Sequence, residues 1–167
     1  MKFQEITLAE LSPDPFKLIG KGWMLITAGN ESGFNTMTAS WGGFGVMWHK
    51  NVATVVIRPQ RHTLGFIEGN DIFTLSFFTE DYRDALKFCG ANSGRNVDKI
   101  KKTGLIPIFI DSTIAFEQAE ITLICKKLYK QKLEPECFID KSLLSNYSEN
   151  DYHIAFTAEI IKALKKQ

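Results

Sequence analysis

Arg58 and Arg61 close an apolar run, Val52-Ala53-Thr54-Val55-Val56-Ile57, in the order Arg58-Pro59-Gln60-Arg61-His62-Thr63. Pro59 has no amide hydrogen for a sheet ladder, so the strand ends there, and Thr63 is of the type that caps a helix, here one through Leu64-Gly65-Phe66-Ile67-Glu68. The first amides of a helix lack intrahelical acceptors and lie at the positive end of its dipole. An arginine fork beside them adds directed, charge-assisted bonds. That is the chemistry of a phosphate site. The alternative is that both arginines pair with surface carboxylates on an ordinary loop.

A second candidate surface precedes it. In Asn35-Thr36-Met37-Thr38-Ala39-Ser40-Trp41, strand alternation puts Thr36, Thr38 and Ser40 on one side and Met37, Ala39 and Trp41 on the other. A row of small hydroxyls leaves room for a flat ligand and offers donors and acceptors, while the apolar side anchors the strand on a core. The face reads as a wall of a binding cleft, against a half-exposed strand whose threonines serve β propensity alone.

The third is the loop from Gly90 to Lys99. Gly90 and Gly94 permit tight curling over a ligand, Ser93 can cap the following turn, and Lys99 can point inward, against a solvated lysine ahead of Ile100-Lys101-Lys102. Asp98 suits the helix start or Lys99 better than chemistry of its own. Cys89, just before this loop, is a contact candidate, with a small buried hydrophobe as the stronger reading.

These groups need strands to hold them. Hydrophobic patterning predicts strands over Met24–Ala28, Asn35–Trp41, Ala53–Arg58, Ile72–Phe78, Ile108–Ile110, Ile114–Tyr129 and Ile154–Ile161, the long sixth one broken by a bend. Short helices are expected over Thr63–Gly69, Asp81–Cys89 and Val97–Thr103, the last stopped by Gly104. Asn30-Glu31-Ser32-Gly33 reads as a turn, Gly42-Gly43-Phe44-Gly45 as a bend or bulge, and Leu143 to Asp151 as a polar surface loop. The fold class is mainly β with a few short helices, in a single domain over 1–167.

The segment Trp23 to Thr63, carrying Asn35-Thr-Met-Thr-Ala-Ser-Trp41 and Ile57-Arg-Pro-Gln-Arg-His-Thr63, resembles the flavin reductase-like proteins, including flavoredoxin-type members. Further likeness lies at Ser93-Gly-Arg-Asn-Val-Asp-Lys99, at Glu120 to Tyr129 and at Asp151-Tyr-His153. The resemblance implies an FMN-binding split β-barrel, usually a homodimer, with chemistry on the flavin and no catalytic side chain. It implies a cofactor set of Asn35, Thr36, Thr38, Ala39, Ser40, Trp41, Arg58, Gln60, Arg61, Thr63, Cys89, Ser93 and Lys99. In it, Asn35, Thr38 and Ser40 bond ribityl or pyrimidine atoms, Arg61 and Thr63 hold phosphate, and Lys99 touches flavin or phosphate. Trp41 would pack beside the ring, yet strict alternation sends it away from the hydroxyl face. Either the strand twists between Ala39 and Gly42, or Trp41 serves a ring bound by a neighbouring subunit. Tyr152 and His153 either close the cleft, form interface contacts, or simply start the last strand.

Other chemistries find little support. Gly42-Gly43-Phe44-Gly45 lacks the spacing of a dinucleotide fingerprint, so NADH or NADPH would bind transiently over a bound flavin. His49, His62 and His153 show no metal spacing, and no GxSxG elbow serves Ser40. The net charge is +1, from 20 basic and 19 acidic residues, which argues against nucleic acid and anionic membranes as partners. Many of the 13 phenylalanines, such as Phe73, Phe77 and Phe78, fall in strand-like segments and suit a barrel core. Three cysteines, Cys89, Cys125 and Cys137, without CxxC spacing read as free thiols. With no signal-like start and no bilayer-length apolar run, a soluble cytoplasmic protein is expected. The first-ranked function is an NAD(P)H-dependent FMN reductase. The alternatives are a flavoredoxin-like carrier reduced by a redox protein partner, and a non-catalytic split-barrel module holding another ligand such as heme.

Overall fold

The computed structural model describes residues 3–11 and 14–167. Its strands are β1 (Phe3–Ile6), β2 (Met24–Asn30), β3 (Gly33–Ala39), β4 (Gly42–Met47), β5 (Lys50–Ile57), β6 (Ile72–Phe77), β7 (Pro107–Ile110), β8 (Thr113–Phe116), β9 (Ile121–Lys132) and β10 (Ile154–Lys166). Four helices, α1 (Leu8–Leu11), α2 (His62–Gly69), α3 (Arg83–Ala91) and α4 (Lys99–Thr103), join a π-helical turn at Phe16–Gly22 and short 3₁₀ turns.

All the pairings are antiparallel, and the main sheet runs β3-β2-β6-β9-β10-β5-β4, with β1 also on β10. Its two end strands, β3 and β4, are consecutive in the chain and joined only by Ser40 and Trp41. A sheet whose first and last strands are tied by two residues must curl until its ends meet, so the result is a barrel left split along β3 and β4. Register shifts between β9 and β10, at Thr157/Ala158 and Ile160/Lys162, supply local curvature.

Alternation sorts the core. Along β2, Met24, Ile26 and Ala28 enter the barrel with Met37, Phe73, Leu75 and Phe156, whereas Leu25 faces a second cluster with Leu86, Cys89, Ile114 and Phe116 under α3 and β8. Because α3 and β8 cover that outer face, β2 is buried through Gly29 and reads as a continuous apolar run.

Several boundaries differ from the sequence expectation. Gly42–Gly45 is not a bend but the start of β4, an edge strand paired with β5 in the register Gly43↔Thr54. The segment from Ile114 to Tyr129 is two strands, β8 and β9, separated at residues 117–120. The polar stretch after Leu143 belongs largely to a 3₁₀ helix, Lys141–Tyr147, that buries Tyr147. Thr63 does not cap α2: Arg61 holds the N-cap position without a side-chain cap. Gly104 does stop α4, at φ 70°, its amide returning to the Ile100 carbonyl.

Candidate functional site

The corner between β3 and β4 resolves the orientation of Trp41. Strand geometry stops at Ala39, so alternation no longer governs Ser40 and Trp41, and Gly42 turns the chain at φ 147°. A Cβ at Gly42 would lie 2.4 Å from the Thr54 carbonyl oxygen, which is why the corner uses glycine. Ser40 and Trp41 therefore line one cleft of 260 Å³ together with Thr38, Ala39, Arg58, Arg61 and His153.

The hydroxyl row is not an open platform. Helix α3 packs on that face of β3, where Thr38 donates to the Leu86 carbonyl at 2.5 Å and Thr36 bonds the Thr27 hydroxyl at 2.8 Å. Gly90 permits this approach, since a Cβ there would lie 3.3 Å from Thr38 Cβ. Of the three hydroxyls, only that of Ser40 has no side-chain or backbone partner among the described residues.

The two arginines part company. Arg58 pairs with Asp151 and donates to the Asn146 carbonyl at 2.9 Å, and Gln60 donates to the same Asp151 carboxylate at 2.8 Å. These bonds, from Gln60 and then Arg58, hold the Asp151 carboxyl below its usual range. Arg58 thus follows the ion-pair alternative and anchors the approach to β10. Arg61 instead reaches the Gly90 carbonyl at 2.7 Å, and no carboxylate lies within 4.0 Å of it among the described residues. Burial, then the charge of Arg58, lowers its proton affinity.

Lys99 is 5% exposed and donates to the Thr36 and Cys89 carbonyls at 2.7 and 2.9 Å, with burial lowering its pKa. Arg61 and Lys99 thus stand on the consecutive carbonyls of Gly90 and Cys89, at the negative end of α3. An ammonium has three N–H groups and a guanidinium five, so both keep donors for a further acceptor.

Asn35 and Lys99 open toward a neighbouring cleft of 680 Å³, walled by Phe34, Gly94, Arg95 and Pro107. Asn35 donates to the Thr63 hydroxyl at 2.8 Å, tying β3 to α2, and its carbonyl oxygen sits 2.0 Å from where a Cβ on Gly94 would be. Thr63 and Thr36 are each 1% exposed; Thr36 borders the larger cleft and Thr63 borders neither. Ser93 accepts from the Arg95 amide at 3.3 Å in a local turn, while α4 is capped by Asp98, which accepts from the Lys101 amide at 3.0 Å. Gln60 belongs to the exposed rim through Asp151. Cys89 follows the buried-hydrophobe reading and not that of a thiol contact: its side chain is fully buried beside Leu25 and Leu86, burial pushes the thiol up to about 11, and its carbonyl accepts from Lys99.

The sequence left His153 open between three roles. It is 7% exposed, its ring lies 5.2 Å from that of Trp41, and its Nδ1 is 2.9 Å from the Tyr147 hydroxyl. Tyr147 stacks on Tyr152 at 4.7 Å, with the Arg58 guanidinium 5.2 Å from its centroid. Burial, then Arg58, depresses His153 from 6.5 to about 4, so it is neutral near pH 7. Its folded form binds a proton less readily than its unfolded form. Its contribution to stability is therefore full above about pH 6.5 and lost as pH falls toward 4. Denaturant melts from pH 7 to 4 are expected to decline more steeply in wild type than in His153→Gln, and parallel curves would count against this assignment.

Residues 16–141, most of the chain, match the family described as Flavin reductase like domain. The chain belongs to the flavin reductase-like family. Its mainly β, split-barrel fold is shared with solved structures of that kind. Flavoredoxin from Methanosarcina acetivorans superposes with a TM-score of 0.67 at 20% identity, over 87% of this chain and 69% of that one. An FMN-binding domain of a flavin reductases-like enzyme from Shewanella baltica OS155 gives 0.69 at 20%, over 98% and 77%. The NADH:FAD oxidoreductase SgcE6 of Streptomyces globisporus C-1027, in complex with NAD and FAD fragments, gives 0.66 at 15%, over 87% and 74%. The curated proteins contain no match. This flavin reductase-like chain is a flavin-binding oxidoreductase by family, and among its described residues no helix is long and apolar enough to cross a membrane.

Proposed function

We propose that this chain is an NAD(P)H-dependent FMN reductase built as one domain over its whole length. The observation that carries the reading is the pair Arg61 and Lys99, the first partly and the second fully buried, on adjacent carbonyls with no carboxylate within 4.0 Å of either among the described residues. Buried positive charge with unused N–H donors fits a phosphate monoester, and the Ser40, Trp41 and His153 end of the adjoining cleft fits a flat polar ring. Bound FMN supplies the acceptor for a hydride from NADH or NADPH and a store for two electrons. Arg61, with the unpaired first amides of α2, holds the phosphate. The Ser40 hydroxyl and nearby backbone groups orient the ring edge. Trp41 and neutral His153 exclude water from one side. The buried ammonium of Lys99 favours an anionic bound group.

The open β4 edge, with Val46 75% and Trp48 54% exposed beside it, suits a homodimer. Three free cysteines suit a reducing compartment such as the cytoplasm. Fold likeness to a flavoredoxin supports a second reading, an electron carrier reduced by a protein partner. Anaerobic titration of the FMN-loaded protein with NADH and NADPH separates the two. Rapid loss of oxidised-flavin absorbance with either nucleotide supports the reductase. A bound flavin that stays oxidised with both, yet is bleached by reduced ferredoxin, supports the carrier.

A further inference from the structure

His153 has one ring nitrogen engaged and one unused. Its Nδ1 lies 2.9 Å from the Tyr147 hydroxyl, while its Nε2 has no partner among the described residues and is not enclosed by them. The ring lines the 260 Å³ cleft with Ser40, Trp41 and Arg61. Which nitrogen carries the hydrogen therefore decides what His153 offers a ligand in that cleft, an N–H or a lone pair.

Both partners are held in place. Tyr147 ends the 3₁₀ turn Lys141–Tyr147, in which Asp140 accepts from the Ser142 amide at 3.0 Å. Its ring stacks on Tyr152 and stands steeply inclined to Phe138, with centroids 4.7 and 5.7 Å away. The His153 carbonyl accepts from the Leu133 amide at 2.9 Å, and the Trp41 ring lies against the imidazole.

The phenol hydrogen decides the tautomer. Tyr147 is buried, and His153 Nδ1 is the one acceptor its hydroxyl reaches among the described residues. Were the hydrogen on Nδ1, that nitrogen would donate to the phenol oxygen, and the phenol's own hydrogen would be left buried without an acceptor. Burial keeps the phenol protonated by raising its pKa and lowers that of the imidazole to about 4, so near pH 7 each group has one hydrogen to place. With Nδ1 accepting, Nε2 bears the other.

We propose that Tyr147 is a positioning residue that holds His153 in its Nε2–H form, and that this N–H donates to the pyrimidine edge of bound FMN. The assignment rests on the FMN reading above and adds to it a directed donor that carries no charge. The benzenoid edge of the ring ends in methyl groups, so a cleft end with the Ser40 hydroxyl and an imidazole N–H suits the edge that carries carbonyls. Reduction gathers negative charge on that edge, so the bond strengthens in the reduced state. The other tautomer would set a lone pair against the same charge. Tyr147 and His153 both lie beyond residue 141, where the family match ends.

Long-range proton–nitrogen spectra of the histidine rings in isotope-labelled, FMN-loaded protein, with His153 identified by its loss in His153→Gln, are expected to show the hydrogen on Nε2. Tyr147→Phe keeps the aromatic stack and removes only the hydroxyl. It should give a mixture of tautomers and lower the affinity for reduced FMN relative to oxidised FMN by about threefold to tenfold, the scale of one hydrogen bond. His153→Gln, whose amide can place an N–H near the Nε2 position, should keep most of that preference, and His153→Leu should lose it. A wild-type hydrogen on Nδ1 would overturn the proposal whatever the variants do. An unchanged preference in Tyr147→Phe, or in His153→Leu should Tyr147→Phe not fold, would overturn it while leaving the FMN reading intact. Failure of wild-type protein to take up FMN, measured first, would remove the cofactor reading and the donor role with it.

Discussion

Arg61→Ala is expected to weaken FMN binding by ~1.5–3 kcal/mol, roughly ten- to a hundredfold in Kd, the loss of a charge-assisted phosphate contact in a partly buried site. Arg58 is the internal comparison. Its guanidinium is committed to Asp151 and the Asn146 carbonyl, so Arg58→Ala should act first on the chain entering β10 and only secondarily on the cofactor. Arg61→Lys should recover part of the affinity, since a lysine keeps the charge but loses the fork. Removing Arg61 also frees the Gly90 carbonyl, so melting temperature must be followed beside flavin fluorescence. An Arg61→Ala protein that folds normally and binds FMN like wild type would sink the phosphate assignment.

Gly42→Ala is expected to destabilise the fold by about 1–3 kcal/mol through backbone strain alone, with the steric clash adding to it. At φ 147° an L side chain is strained whatever the space, and here the new Cβ would lie 2.4 Å from the Thr54 carbonyl oxygen, an atom fixed in the β5 ladder. The relief available is to move the corner, which carries Ser40 and Trp41, so weaker FMN binding should accompany the lower denaturation midpoint. Gly43→Ala, one residue on, meets nothing within 4 Å and is expected to stay within ±0.5 kcal/mol of wild type. Equal midpoints for the two variants would show that the corner yields without cost.

The hydroxyl strand and the arginine pair were both legible as chemistry, but which members stay available was not. Thr38 is spent on α3, some fifty residues later in the chain, and Thr36 on the Thr27 hydroxyl of the neighbouring strand β2. Arg58 is spent on Asp151, 93 residues away. Such choices are made by tertiary contacts that local pattern does not encode. The β4–β5 hairpin escaped for a different reason. Its turn residues Trp48 and His49 sit at φ 53° and 59°, where asparagine or glycine is the usual signal. Asp111 and Ser112 do the same between β7 and β8, at 49° and 61°. The strands of the core, by contrast, were found where apolar alternation was strong, within a few residues for β2, β5 and β6.

A barrel that never pairs its last two strands has a direction in which it can yield cheaply. Among the described residues no ladder joins β3 to β4, so parting them breaks no sheet hydrogen bonds and strains the Ser40–Trp41 link. Breathing along that line would admit a ligand without partial unfolding, and a ligand seated across it would act as the missing stave, stiffening the empty protein. Amide exchange along β3 and β4 should therefore slow on FMN binding by more than in the fully paired β6, β9 and β10.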